Sequence, residues 1–202
     1  MKQTRFEQMK HQLLKNTAPE LGPQVLAHMD EEYELLCRDD SQKAPDLLRH
    51  LHNNIYPVVA AFRGLMACGM PREEASRLSQ STFLELMEGP AASIRKLCRL
   101  PGFYRAVPWL FGKLMPKLFT EGAGFVFTYH PAEPGRIRFD MKVCPYYQAC
   151  QDLDCPELAP VFCATDDVCY GHMHPRLAWN RTQTIARGGE VCDFDLQVTK
   201  KE

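Results

Sequence analysis

Six of the nine cysteines, Cys144, Cys150, Cys155, Cys163, Cys169 and Cys192, crowd the last third of the chain. A cysteine does covalent chemistry as a thiolate. It then needs a base or cation beside it, and donors for the charge that develops on its substrate. Cys163 is followed by Asp166 and Asp167, and Cys192 directly by Asp193. His130, His172 and His174 are available as bases. Plainer readings stand beside these: paired aspartates cap helices or face solvent, and an unreactive cysteine is a small core residue. For Cys163 both readings stay open. The late cysteines contain no C-x-x-C pair, so the common zinc and iron–sulfur spacings are missing. The two imidazoles of "HMH", with Asp166, Asp167 or Cys163, make only a weak metal set. No metal and no cofactor are expected.

These side chains need elements to position them. "LAWNRTQTIA" and "EVCDFDLQV" read as two strands joined through Gly188 and Gly189. A two-residue turn there would pair Arg187 with Glu190, and Ala186 with Val191. Counting outward puts Arg181, Gln183 and Ile185 on one face with Cys192, Phe194 and Leu196. Thr182, Thr184 and Ala186 would share the other face with Val191, Asp193 and Asp195. Cys192 and Asp193 therefore point to opposite sides of the sheet. An arginine on the apolar face requires a partner, either a protein carboxylate or a bound one. Asp193 opposite Thr184 is either a cross-strand hydrogen bond or a general acid/base.

Upstream, "GFVFTYHP" and "GRIRFDMKV" predict a first hairpin, roughly 124–130 with 136–143. The first 120 residues carry helical periodicity. "PQVLAHMDEEYELLCRDD" lines up Val25, Leu26, Met29, Tyr33 and Leu36. A second long helix runs through "APDLLRHLHNNIYPVVAAFRGLMACGM", with a kink expected at Pro57 and a stop at Gly69. A third opens at "MPREEASRL" and should close at Gly89, before a shorter helix in "AASIRKLCRL". Cys37, Cys68 and Cys98 fall in these patterns and read as packing residues. From Gly89 to Thr120 there are six basic residues and no acidic one. Its aromatic second half, 101–119, reads as an amphipathic helix packed on the domain, or as a surface for an anionic membrane or ligand.

The chain of 202 residues is long enough for one domain with a real core. The expected class is α+β: a helical N-terminal half, 1–120, packed on a small antiparallel sheet formed by hairpins in 121–202. The composition, 45% hydrophobic and 24% charged, is that of a globular protein. A net charge of -1 gives no pull toward nucleic acid. No apolar run reaches the roughly 20 residues of a membrane span, and the N-terminal stretch lacks a secretory signal's apolar centre. A cytoplasmic protein with free thiols is expected. Its oligomeric state is not legible.

Several segments are similar to the L-2-amino-thiazoline-4-carboxylic acid hydrolase family. They are Cys144-Pro145, Pro156-Glu157-Leu158, Phe162-Cys163 with Asp166, and the ending "RTQTIARGGEVCDF" from Arg181 to Phe194. The resemblance covers about 140–196 well, and the first 100 residues only in helical character. It implies a hydrolase that opens a small cyclic amidine bearing a carboxylate, toward a carbamoyl-cysteine. In that frame Cys163 or Cys192 attacks the amidine carbon, or an aspartate activates water to do so. Asp166 or Asp193 holds the amidinium. Arg181 clamps the substrate carboxylate, and Gln183, Thr184 and Cys144 complete the binding residues. The competing readings are a small-molecule-binding or sensory module without turnover, and a cysteine-based metal or redox protein.

Overall fold

Apolar residues three and four positions apart build the first helices. In the computed structural model, which describes residues 3–200, α1 (Arg5–Asn16) buries Phe6, Met9 and Leu13, and Thr4 caps it by accepting from the Glu7 N–H at 3.2 Å. Helix α2 (Gly22–Cys37) buries Val25, Met29 and Leu36. The next helical stretch runs in three parts: α3 (Pro45–His50), a π-helical turn (Leu51–Ile55) and α4 (Tyr56–Ala67). The irregularity expected at Pro57 takes the form of this wide turn. Proline offers no N–H to the carbonyl four residues back, and the Tyr56 N–H reaches five residues back to Leu51. Gly69, at φ +86°, ends the stretch as expected.

The stop expected at Gly89 is not there. Helix α5 runs without a break from Arg72 to Cys98, with Pro90 inside it, and absorbs the short helix expected after Gly89. A residue before proline is normally driven out of the helical region by its own Cβ and N–H. Gly89 has no Cβ to meet the Pro90 ring. The glycine lets the helix pass the proline. Helix α6 (Val107–Leu118) follows and buries Val107, Pro108, Phe111 and Met115, while Trp109, Leu114 and Lys117 remain on the outside.

The C-terminal part supplies a four-stranded antiparallel sheet in the order β1-β2-β4-β3. The strands are β1 (Val126–Tyr129), β2 (Arg136–Val143), β3 (Leu177–Asn180) and β4 (Cys192–Val198). Helices α7 (Pro145–Asp152) and α8 (Ala159–Tyr170) lie between β2 and β3 in sequence. The α+β class and the first hairpin are as expected. Alternation splits the sheet cleanly. Ile137, Phe139 and Met141 of β2 pair with Leu196, Phe194 and Cys192 of β4 on the inner face. The outer face carries charges: the Arg136 guanidinium holds Asp195 at 2.7 and 2.8 Å, Arg138 pairs with Glu133, and His130 meets Asp140 at 3.0 Å.

The second hairpin differs from expectation in its turn. Trp179 stands opposite Leu196, and Leu177 opposite Val198. The strands are thus displaced by two residues from the Gly-Gly pairing, and residues 181–191 form a loop with a 3₁₀ turn at Ile185–Arg187. Gly188, at φ +85°, ends that turn. An even displacement preserves side-chain parity, so Arg181 still falls on the side of Cys192 and Phe194, just past the end of β3.

Helices α2 and α4 pack closely at Gly64, where a Cβ would stand 3.0 Å from Met29 Cγ, 3.1 Å from Met29 N and 3.1 Å from Val25 O. Gly→Ala in a helix ordinarily stabilises by about 1 kcal/mol. Here two of the three neighbours are backbone atoms, which no rotamer change can move, and such overpacking costs about 1–3 kcal/mol. Gly64→Ala should therefore lower the urea midpoint at unchanged m-value; a raised midpoint would show that the two helices do not meet at this point.

Candidate active site

Between the helices and the inner face of the sheet lies a cavity of about 330 Å³. Its walls are mostly aromatic and apolar: Phe111 and Met115 from α6, Phe125 and Phe127 around the start of β1, Phe139 and Met141 from β2, Trp179 from β3 and Phe194 from β4. The rings pack on one another, Phe139 against Phe194 at 4.8 Å and Trp179 against Phe194 at 5.5 Å between centroids. Polar groups enter at two places.

The first is the cysteine end. Cys163, Asp166 and Tyr170 recur three and four residues apart on α8, so one helix face presents all three to the cavity. Cys192, from the start of β4, completes the pair with Cys163. The Cys192 thiol donates to the Cys163 sulfur, and its own sulfur accepts from the Ile185 N–H at 3.3 Å. This donated hydrogen bond is the main reason that the Cys163 thiol ionises at about 6. Burial opposes the shift; Arg181, Thr184 and Arg187 add to it. The proton shared by the two sulfurs stays with Cys192, whose pKa is correspondingly raised. The Thr184 hydroxyl, buried and without a hydrogen-bond partner, lies beside Cys163 and favours its charged form.

Asp166 shows the opposite shift. Burial pushes its carboxyl up to about 7, against the pull of Arg181, and the Cys163 and Asp167 charges add to the rise. The side chain of Arg181 is only 6% exposed. It donates to Asp166 at 3.1 Å, to Asp167 at 2.8 Å and to the Cys163 carbonyl at 3.0 Å, and its guanidinium lies 5.5 Å from the Phe194 ring centre. The partner that the sequence demanded for this arginine is thus a pair of protein carboxylates. Cys144 also lines the cavity, and burial raises its thiol to about 11.

The other residues named from sequence sort by face. Asp193 lies on the outer side of the sheet and does not line the cavity. It accepts from the N–H groups of Thr182 and Gln183 at 2.9 and 2.8 Å, and from the Thr182 hydroxyl at 2.6 Å. Burial works against its charge, but these bonds outweigh it and hold the carboxyl below its usual range. Its role is to hold the loop. Gln183, expected beside Cys192, lies outside the cavity and accepts from the Glu190 N–H at 3.1 Å. Thr184, expected opposite Asp193, turns to Cys163, because the longer loop frees it from strand pairing. Among the histidines, His130 is on the outer sheet face, His172 is exposed, and His174 stacks on Tyr104 at 4.5 Å.

The second polar entry went unread in the sequence. His50 lines the cavity from α3, with Nδ1 2.9 Å from the Tyr146 hydroxyl and Nε2 3.0 Å from the Leu118 carbonyl. Asn54, one turn further on, donates to the same hydroxyl at 2.9 Å. Burial lowers the His50 pKa, so the ring is neutral at pH 7, donates from Nε2 and accepts at Nδ1. The spacing of His50 and Asn54 was the only signal available, and it is common on helices.

A family model described as L-2-amino-thiazoline-4-carboxylic acid hydrolase matches residues 49–196. The chain belongs to this hydrolase family. No curated protein matches it. The span matched by the L-2-amino-thiazoline-4-carboxylic acid hydrolase model takes in Arg49, His50, the α8 stripe, Arg181 and Cys192, which is every wall of the cavity. It leaves out α1, α2 and the turn that follows them.

The thiolate makes a direct prediction. Alkylation of Cys163 by iodoacetamide, followed by peptide mass spectrometry, should rise with pH through about 6. Cys192→Ala removes the donor and should move that titration up toward the ordinary thiol value of about 8.5. An unchanged profile would rule out Cys192 as the donor.

Proposed function

We propose that this chain hydrolyses a carbon–nitrogen or carbon–sulfur bond of a cyclic amidine that carries an apolar body, with Cys163 as nucleophile and Asp166 as proton donor. The observation that carries the reading is the placement of an easily ionised thiol and a protonatable carboxyl, three residues apart on α8, at one end of an aromatic-walled cavity. Opposite shifts of two titratable groups in one site assign a base or nucleophile and an acid. The family name supports hydrolysis of a ring of this kind.

The Cys163 thiolate bonds to the carbon of the protonated amidine, and the electrons of the C=N bond move to nitrogen, which loses its positive charge. The tetrahedral adduct collapses by breaking the bond from that carbon to a ring heteroatom, which leaves with the Asp166 proton. Water, deprotonated by the Asp166 carboxylate, then attacks the S-linked carbon. Cys163 leaves as thiolate, the proton brought in by the amidinium passes from the new hydroxyl to solvent, and the product is the ring-opened carbamoyl compound. Arg181, expected as a clamp for a substrate carboxylate, has its donors committed to Asp166, Asp167 and the Cys163 carbonyl. It acts as a positioning residue. A carboxylate on the ring would meet Arg49, which lines the cavity beside His50. Gln183 and Asp193 act through the loop, and Cys144 and Thr184 border the reacting sulfur.

The cavity volume falls in the range of pockets for drug-sized ligands, about 300–1,000 Å³. That favours a substrate larger and less polar than a bare aminothiazoline acid. It also favours a second reading, a binding module that returns its ligand intact. Both are decided by incubating the protein with 2-aminothiazolines bearing either a 4-carboxylate or a 4-phenyl group and measuring masses. Turnover adds one water to the ligand, with the phenyl compound preferred. A thermal shift without any mass change would overturn the hydrolytic reading. Cys163→Ser should cut kcat by at least about 10³-fold, and retained turnover would exclude covalent catalysis.

The reactive form needs Cys163 ionised and Asp166 protonated. The profile of kcat/KM should therefore be a narrow bell, rising through about 6 and falling through about 7. Asp166→Asn should lower the maximum and abolish the falling limb; a falling limb that survives belongs to another group.

A further inference from the structure

We propose that Cys37, Asp40 and His52 form a site for one divalent cation of the zinc class. The Cys37 sulfur, an Asp40 carboxylate oxygen and a His52 ring nitrogen all lie within 4.8 Å of one another. Cys37 is the last residue of α2, Asp40 begins the short turn after it, and His52 sits in the π-helical turn before α4. The ligands come from separate elements, so the folded chain brings them together.

In a tetrahedral site with bonds of about 2.0–2.3 Å, ligand atoms stand about 3.3–3.5 Å apart. From separations of up to 4.8 Å, side-chain movements of about an ångström bring the three atoms to that spacing. A thiolate, an imidazole and a carboxylate together favour zinc, cobalt or nickel over magnesium or calcium, which prefer oxygen throughout. Half-exposure leaves the fourth position to water.

The ligands are already held from behind. The Tyr33 hydroxyl meets His52 Nδ1 at 2.7 Å, and the Tyr56 hydroxyl donates to Asp40 at 3.2 Å. Tyr33 is itself stacked on Phe6 at 3.9 Å. Outer contacts of this kind fix the ring orientation and tautomer of a metal-bound histidine. Without metal, His52 Nε2 lies 2.7 Å from Asp40. The cation takes the place of the proton between them. That proton moves to Nδ1, which donates to the Tyr33 oxygen, and the Cys37 thiol proton is released. Lys43, 3.5 Å from Asp40, competes for the carboxylate from the end of a flexible stem.

The site is separate from the catalytic cavity, whose lining includes none of these residues. Cys37 and Asp40 also precede the segment matched by the family model.

Calorimetric titration of the full chain with zinc chloride tests the proposal. It should give one site per chain with release of one proton, read from the buffer dependence of the enthalpy. With cobalt chloride, the complex should show the sulfur-to-cobalt charge-transfer band. Cys37→Ser and His52→Asn should abolish that band, and Cys163→Ser should keep it. Asp40→Asn, which leaves all bulk in place, should weaken zinc by at least about ten-fold, and Lys43→Gln should tighten it. Circular dichroism without metal confirms that each variant is folded. A cobalt band that survives in Cys37→Ser, or its loss in Cys163→Ser, would overturn the proposal, as would a titration with no binding.

Discussion

A guanidinium taken out of water must be surrounded by acceptors, or the chain will not fold around it. Arg181 meets this demand with two carboxylates and a carbonyl, all on α8, and with the face of Phe194. The arginine follows β3 directly, so satisfying it pins α8 to the sheet at one place and in one rotation. That rotation turns Cys163 and Asp166 into the cavity. When Asp166 takes up its proton, Asp167 is left as the counter-charge to the buried guanidinium, so it matters to the site although it does not line the aromatic cavity.

The same arginine lowers the pKa of both acids of the cavity, and what drives them apart is what else each one meets. Burial raises the pKa of both. Asp166 gains only Arg181 in return, shared with Asp167, and burial wins. Cys163 receives a hydrogen bond from Cys192, has the Thr184 hydroxyl beside it, and lies in the fields of Arg181 and Arg187. Together these outweigh its burial. The aromatic walls set the scale of all these effects, since charges act more strongly where water is absent.

What could be read from the sequence was whatever depends on period and parity. Helical stripes, the first hairpin and the opposite orientations of Cys192 and Asp193 all follow from local repeats. Arg181 was placed on the correct face even though the turn was misjudged, because a displacement of two residues leaves alternation unchanged. Thr184 and Gln183 were misplaced because they belong to the loop, where strand counting does not apply. Gly89 read as a stop because glycine before proline has two uses, ending a helix or easing it past the ring, and only packing distinguishes them. His50 and Cys37 were illegible for a different reason. Their partners are 96 residues away at Tyr146 in the first case, and on a neighbouring turn around a π-helical irregularity in the second. No periodicity announces either.

A thiol pair is not in itself a site, as Cys150 and Cys155 demonstrate. They also share a hydrogen bond, and it likewise lowers one thiol, Cys155, and raises the other. Arg63 and Arg72 favour the Cys155 thiolate as Arg181 and Arg187 favour that of Cys163. Yet both residues are fully buried in the helical core and line no part of the cavity. A nucleophile must reach a carbon that comes from outside. The electrostatic arrangement occurs twice among the described residues, and only the pair of Cys163 and Cys192 faces a cavity. Access in turn is set by the inner face of the sheet, whose rings stand away from α8 at Cys163 and leave a space that apolar matter, rather than water, is suited to fill.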